Sequence, residues 1–97
     1  MITGVGMIQA ERDRQRDVEK WSPAHDDQHK HGELADAASL YAMTDRLLNT
    51  RMDLFSDWPF ELEWWKRCKH SRIKQLAIAG ALIAAEIDRL NRKAPDA

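Results

Sequence analysis

The chain is short of cysteine and of net charge. Its single cysteine, Cys68, cannot form a disulfide within the chain, which favours a reducing compartment over secretion. Fifteen basic residues stand against sixteen acidic ones, and the formal charge is −1. A near-neutral chain has no general electrostatic attraction to nucleic acid or to an anionic membrane, so both partners are disfavoured.

The chain also lacks a long hydrophobic run. The longest apolar stretch without a charge, residues 76–85, covers about half of the length that a membrane-spanning helix needs. The first six residues show no basic flank followed by an apolar segment, so no signal peptide is expected. These absences predict a soluble, cytoplasmic protein with no membrane partner.

Glycine and proline are scarce, with four and three residues, and the long intervals between them favour helices. Good helix formers fill residues 8–20, and apolar residues follow helical spacing through 33–48. Ser71 caps a last helix that runs to about Arg92. We predict an all-α protein, a small three- to four-helix bundle with an aromatic-rich connecting segment. One helical domain covers residues 8–93, between flexible ends at 1–7 and 94–97.

The first predicted helix carries polar residues on the face that should turn inward. A 3.6-residue period places Ile8, Glu11, Gln15 and Val18 on one stripe. Glu86 likewise lies among apolar residues of the last helix. A buried carboxylate is costly unless it is paired, hydrogen-bonded or protonated. Either each acid pairs with a neighbouring arginine or histidine, or the acids share one polar pocket with the histidine cluster.

That cluster is residues 25–31, which hold three of the four histidines. His25 and His29 are four apart, so a helical turn would put both rings on one side. Three interpretations stand: a polar turn in which an aspartate bonds backbone amides, a ligand-binding or catalytic site, or a divalent-metal site of His25, Asp26 and His29. A pocket shared with the inward acids would comprise Glu11, Gln15, His25, Asp26, Asp27, His29, Glu33 and Glu86.

Five of the seven aromatic residues fall within residues 49–70. Asp57 could cap a short helix with Pro59 in its first turn, and a structured loop that lays the rings over the helices fits equally well. Aromatic rings next to cations can stack on bases, although such rings more often form the edge of a core. The residues of this aromatic and basic surface are Trp58, Trp64, Trp65, Lys66 and Arg72.

The last helix is apolar on all sides around residues 76–85. Such a helix is either central to its domain or shared with a second subunit. Ala77, Gly80, Ala81 and Ala84 are small enough to allow close approach of another backbone. We therefore predict a homodimer or a higher homo-oligomer that forms through this helix.

Four segments together resemble a group of short proteins from bacteriophages and prophages: "ERDRQ", "HDDQHKHGELADAASLYA", "WPFELEWWK" and "LAIAGALIAAEIDRLNR". The shared pattern looks like ER-x-R-Q, HDD-x-H-x-x-GEL, a WP segment with WWK, and A-L-I-x-A-E-I-x-R-L, over residues 11–92. The resemblance implies a phage-linked protein in a bacterial host cell, and it joins the polar residues of three segments in one site. The pattern expects a proline after WWK, where this chain has Arg67.

"GELADA", with Glu33 and Asp36, is similar to the E-x-x-D element of the MazG-type all-α nucleoside triphosphate pyrophosphohydrolases. Those enzymes chelate magnesium through carboxylates on two helices, and their E-E-x-x-E helix has no counterpart here. Two functions follow as hypotheses. The first is a non-catalytic phage-type accessory protein that binds a host protein or a small nucleotide-like ligand and could act against a host defence. The second is a metal-dependent nucleotide hydrolase.

Overall fold

The last helix, α5 (Arg72–Lys93), is the element against which the other long helices pack. The computed structural model describes residues 2–51, 58–61 and 65–93. Before α5 the chain forms α1 (Gly4–Asp17), α2 (Pro23–Asp27), α3 (Glu33–Ala42), α4 (Asp45–Arg51) and a 3-10 turn at Arg67–Lys69. Because these residues contain helices and no strand, the all-α prediction is confirmed.

The first helix begins at Gly4, earlier than the predicted residue 8. Thr3 lies in extended backbone before it, and the Thr3 hydroxyl accepts a hydrogen bond from the Gly6 amide at 3.0 Å. This cap satisfies one of the free amides at the start of the helix. Part of the segment predicted to be a flexible end is therefore helical.

The second predicted helix, 33–48, is divided at Met43. Met43 has ψ 145°, so its backbone leaves helical geometry after Ala42, and α4 begins two residues later. Arg72 donates hydrogen bonds to the carbonyl oxygens of Tyr41 and Met43, and Arg67 also donates to Met43. These distant guanidinium groups satisfy the carbonyls that the end of α3 leaves without helical partners. The sequence pattern of α3 and α4 does not contain these donors, because they come from residues more than twenty positions away.

The hydrophobic core lies between α3 and α5. Leu34 is 1% exposed, and burying a leucine of this kind stabilises the fold by about 1.5–3 kcal/mol. Trp58 covers one end, where its ring meets Tyr41 edge-on. The other core residues are Ala37, Ala38 and Leu40 of α3, and Ile78, Ala79, Leu82 and Ala85 of α5.

α1 approaches α5 closely at Gly80. A Cβ atom at this position would lie 2.5 Å from Cδ1 of Ile8, so a larger residue would push the two helices apart. Ala77 and Ala81 are buried on the same stretch of α5. Of the four small residues that predicted a contact between subunits, three are thus used within this chain.

The connecting segment is irregular where the structure describes it. Residues 58–61 form no helix, and the indole nitrogen of Trp58 donates to the Glu61 carbonyl at 3.0 Å. Trp58, Phe60 and Trp65 pack against the core, as the structured-loop alternative expects. Asp57 and Trp64 lie outside the described residues.

No helix among the described residues has both the length and the apolar character needed to cross a membrane.

Candidate functional site

A row of aromatic rings runs from α2 to the connecting segment. His25 stacks on Trp21 with the ring centres 5.3 Å apart, and the His29 ring meets His25 edge-on at 5.2 Å. Phe60 then meets His29 at 5.0 Å, and Trp58 meets Phe60 at 5.3 Å. We call these five side chains the ring row. Offset and edge-on contacts of this kind stabilise an aromatic cluster beyond the area that it buries.

Helix α2 sets the start of the ring row. Ser22 is in extended backbone and its hydroxyl accepts from the His25 amide, while Pro23 occupies the first turn, where its missing donor costs nothing. The short helix ends at Asp27, and His29 follows one turn after His25. The segment predicted as a polar loop therefore forms one helical turn, and its two histidines share a side.

Asp26 faces the protein interior and not the cavity. It is fully buried, and its carboxylate accepts from Arg12 Nη2 at 3.2 Å and contacts His25 Nδ1 at 3.0 Å. Because a carboxylate accepts, His25 Nδ1 is the donor of this pair, and Nε2 is an acceptor when the ring is neutral. Asp26 thus orients the His25 ring from behind.

Glu11 is the second buried acid of the site. It is 3% exposed and accepts two hydrogen bonds from Arg14, at 2.9 and 2.8 Å, and one from Lys74 at 2.7 Å. Burial opposes ionisation of Glu11, but the hydrogen bonds from Arg14 and Lys74 outweigh it and hold the pKa below its ordinary value of 4.5. Arg14 also pairs with Glu19 at 2.9 Å. The acid is therefore compensated, as the pairing alternative expects.

Gln15 stands next to Glu11 and is 1% exposed. Its amide nitrogen donates to a Glu11 carboxylate oxygen at 3.4 Å, which fixes the orientation of the amide because the carboxylate cannot donate. The amide oxygen, Oε1, has no hydrogen-bond partner among the described residues. A buried acceptor in this state is rare in folded proteins, and a bound water or a ligand would satisfy it.

These groups surround a cavity of about 440 Å3. The ring row forms one wall, Glu11, Arg14 and Gln15 form another, and Leu34 and Leu82 belong to its apolar lining. Its volume falls within the roughly 300–1,000 Å3 that is usual for small-molecule sites. The remaining lining residues are Glu19, Tyr41, Pro59, Glu61, Lys66, His70 and Ile78.

The cavity unites part of the predicted polar pocket. Glu11, Gln15, His25 and His29 line it, and Asp26 lies behind His25. The other three predicted members lie elsewhere: Asp27 pairs with Arg92 at 2.8 Å, Glu33 accepts from the His31 amide at 2.6 Å, and Glu86 pairs with Arg89 at 2.6 Å.

The predicted metal site has no support among the described residues, which contain no group of three or more histidine, cysteine or acidic side chains that could hold a metal ion. Of the three predicted ligands, Asp26 already bonds the Arg12 guanidinium, and this positive charge disfavours a cation beside it. His29 Nδ1 lies 3.8 Å from a carboxylate oxygen of Glu33, which is not one of the three predicted ligands.

The predicted aromatic and basic surface is also used internally. Trp58 is 7% exposed, and Trp65 is half-buried against it with ring centres 4.8 Å apart. Arg72 donates to the carbonyls at the end of α3. Lys66 is exposed at the surface and also belongs to the cavity lining, while Trp64 lies outside the described residues.

Sequence reasoning missed three residues of the site. Trp21, His25 and His29 are each four positions apart, and this spacing could have identified Trp21 as a member of the same face. Arg12 is four residues after Ile8, so the helical period could have identified it as a residue on the inward side of α1. Arg14 was visible only as one member of the ER-x-R-Q pattern. The segment Glu11–Gln15 supplies four of the interacting polar side chains.

Comparison of the chain with protein-family models, with characterised proteins and with solved structures gave no match.

Proposed function

We propose that this chain is a small-molecule-binding module whose ligand is a planar, nucleobase-like ring that carries N–H donors. The observation that carries the proposal is the buried side chain of Gln15, which belongs to the lining of an aromatic cavity and whose amide oxygen has no hydrogen-bond partner among the described residues. An acceptor in this position favours a ligand that donates a hydrogen bond there.

The ring row supports a flat ligand. Trp21 and His25 are parallel to within 7°, and the indole and phenyl rings of Trp58 and Phe60 stand at 88° to each other. Aromatic faces stack on nucleobases with a contribution of about 1–3 kcal/mol for each base. The rings therefore offer stacking and edge contacts to a flat ligand. A hydrogen bond to the amide oxygen of Gln15 would set the orientation of that ligand in the cavity.

His25 adds a second acceptor. Asp26 accepts from Nδ1, so Nε2 is the free acceptor when the ring is neutral. Two acceptors on different walls match the amino and ring N–H groups of a nucleobase. The paired charges of Glu11 and Arg14 close the same cavity and favour a polar ligand over a hydrocarbon.

Binding is favoured over hydrolysis because the buried acids already form ion pairs within the chain. Glu11 is held by Arg14 and Lys74, and Asp26 by Arg12. A carboxylate held by cations is a weak general base and a weak ligand for magnesium. The nucleotide-hydrolase hypothesis therefore gains no support from these contacts.

The resemblance to short phage proteins supports a biological setting for this module. A small phage accessory protein that withdraws a nucleotide-like molecule in the bacterial host cytoplasm would act against a defence system. Engagement of a host protein is the other form of the same hypothesis, and the cavity favours the small ligand.

The test is calorimetric titration of the purified chain with a panel of free nucleobases, nucleosides and nucleotides. We expect at least one member to bind, and Gln15→Met to weaken that binding by about tenfold or more, because a lost buried hydrogen bond costs about 1–3 kcal/mol. Gln9→Met is the matched control, since Gln9 is exposed on the same helix and does not line the cavity. No binding by any member of the panel, or equal binding by wild type and Gln15→Met, would contradict the proposal.

A further inference from the structure

A stripe of large aliphatic side chains on α5 faces away from the rest of the chain. It consists of Ile73, Leu76, Ile83, Ile87 and Leu90, which are between 46% and 63% exposed. Aliphatic residues of this size are normally buried, and single exposed ones need no explanation. Five of them on one face of one helix form a continuous patch, which marks an interaction surface.

The spacing within the stripe identifies the shape of its partner. The residues lie at steps of three and four once Gly80 is counted between Leu76 and Ile83. Alternating steps of three and four residues are the pattern by which one helix packs lengthwise along another. At Gly80 the missing side chain is replaced by Ile8 of α1, which packs on that position. The apolar surface is therefore unbroken along the helix.

The length of the stripe points to a second copy of α5. From residue 73 to 90 it extends roughly 25 Å at 1.5 Å per residue, and its partner must be as long. Within the described chain, α5 has 22 residues and the next longest helix, α1, has 14. Two copies of α5 can cover each other with the same stripe, which is the self-complementary contact of a twofold dimer.

The area of the stripe is close to what such a dimer requires. Five half-exposed aliphatic side chains offer on the order of 500 Å2 for each copy, against roughly 800 Å2 for a whole stable interface with its polar rim. Val5 lies one turn before Ile8 and is 79% exposed, so α1 extends the patch at its edge. A membrane surface fits less well, because interfacial helices carry a basic face and residues 75–88 in the middle of α5 contain no lysine or arginine.

We propose that the Ile73–Leu90 stripe is a dimer seam that pairs with the same stripe of a second copy of this chain. The seam lies on α5 apart from the cavity residues Ile78 and Leu82, so it does not depend on ligand binding. It also differs from the contact suggested by the small residues, because Ala77 and Ala81 are buried within the chain.

The test is the molar mass of the full chain by light scattering and sedimentation across micromolar concentrations. We expect twice the chain mass of 11.2 kDa for the wild type, and at least about a tenfold weaker dimer for Ile83→Glu, which places a charge in the middle of the seam. Ile87→Glu is the second seam variant, and circular dichroism checks that both keep their helices. Val18→Glu is the matched control, since Val18 directly follows α1, is 66% exposed and lies off the stripe, and the variant should remain dimeric.

Three outcomes would overturn the proposal. The first is a monomeric mass for the wild type at every concentration. The second is a dimer that folded Ile83→Glu and Ile87→Glu leave unchanged. The third is a monomer that sediments with phosphatidylglycerol vesicles, because it would assign the stripe to a membrane surface.

Discussion

Arg12 and Asp26 form a buried ion pair, with Nη2 of the guanidinium 3.2 Å from Oδ2 of the carboxylate. The pair joins α1 to α2 and places His25, the residue before Asp26, against the cavity. Asp88 of α5 stands 3.7 Å from the same guanidinium and is exposed. Three helices therefore meet at one arginine, and the site depends on it.

Asp26→Asn should destabilise the fold by about 3 kcal/mol, because it leaves the buried charge of Arg12 without its closest partner. The free energy of unfolding in urea measures the loss. Asp27→Asn is the control, since the Asp27 side chain is 51% exposed and its pair with Arg92 should contribute no more than about 1 kcal/mol. Equal stability of the two variants would show that the Arg12 pair is not structural.

Gln15→Met should separate stability from binding. In the free protein the substitution removes a buried acceptor that has no partner among the described residues, together with the long hydrogen bond to Glu11 at 3.4 Å, so the free energy of unfolding should change by no more than about 1 kcal/mol. Ligand binding should weaken in the same variant. A residue with only a structural role would lose stability, so a marked fall in the urea midpoint would argue against the binding role.

Glu11 should make stability depend on acid pH. Its folded pKa lies below its ordinary value of 4.5, so its contribution is complete above about pH 4.5 and is lost as the pH falls through the folded pKa. The stability difference between wild type and Glu11→Gln should therefore be largest near neutral pH and should shrink in acid. The measurement is the urea midpoint of both proteins over a series of pH values.

Lys74→Met provides the control for that series, because it removes one of the two cations that hold Glu11. In Lys74→Met, Glu11 should contribute less to the free energy of unfolding than in the wild type. The contribution that remains comes from its pair with Arg14. Glu33 also has a lowered pKa, because backbone hydrogen bonds outweigh the effect of burial. Its effect cancels in the comparison of wild type with Glu11→Gln, since both proteins contain Glu33. A difference that does not change with pH would contradict the assignment.

Arg72→Met should destabilise the junction between α3 and α4. The side chain donates to the Tyr41 and Met43 carbonyls at 3.3 and 2.9 Å. Arg67 still donates to Met43 in the variant, so of these two the Tyr41 carbonyl is the one that loses its guanidinium donor, at a cost of about 1–3 kcal/mol. Urea denaturation measures the change. Arg46→Met is the control, because Arg46 is exposed on α4 and should change the stability by less than about 0.5 kcal/mol. If both variants unfold at the same urea concentration, the capping role is wrong.

The helices were predictable to the extent that local signals define them. Ser71 caps α5 through a hydrogen bond from the Lys74 amide, as the sequence predicted, and the inward position of Glu11 and Gln15 followed from a 3.6-residue period. The end of α3 was not predictable, because Arg67 and Arg72 act on it from a distance in the chain. The cavity was predicted only in part, since four of eight polar residues line it and its aromatic wall was not foreseen.

The helical class, the inward acids and the apolar character of the last helix were determined by the sequence alone, because each is a matter of local propensity or of the period of one helix. Which side of α5 meets the core was decided by tertiary structure. Ile83 and Ile87 follow helical spacing as well as Ile78 and Leu82 do, yet the first two are exposed and the second two are buried. The physical reason is that an all-apolar helix gains nearly the same free energy by burying either face, so the packing of α1 and α3 decides which face stays exposed.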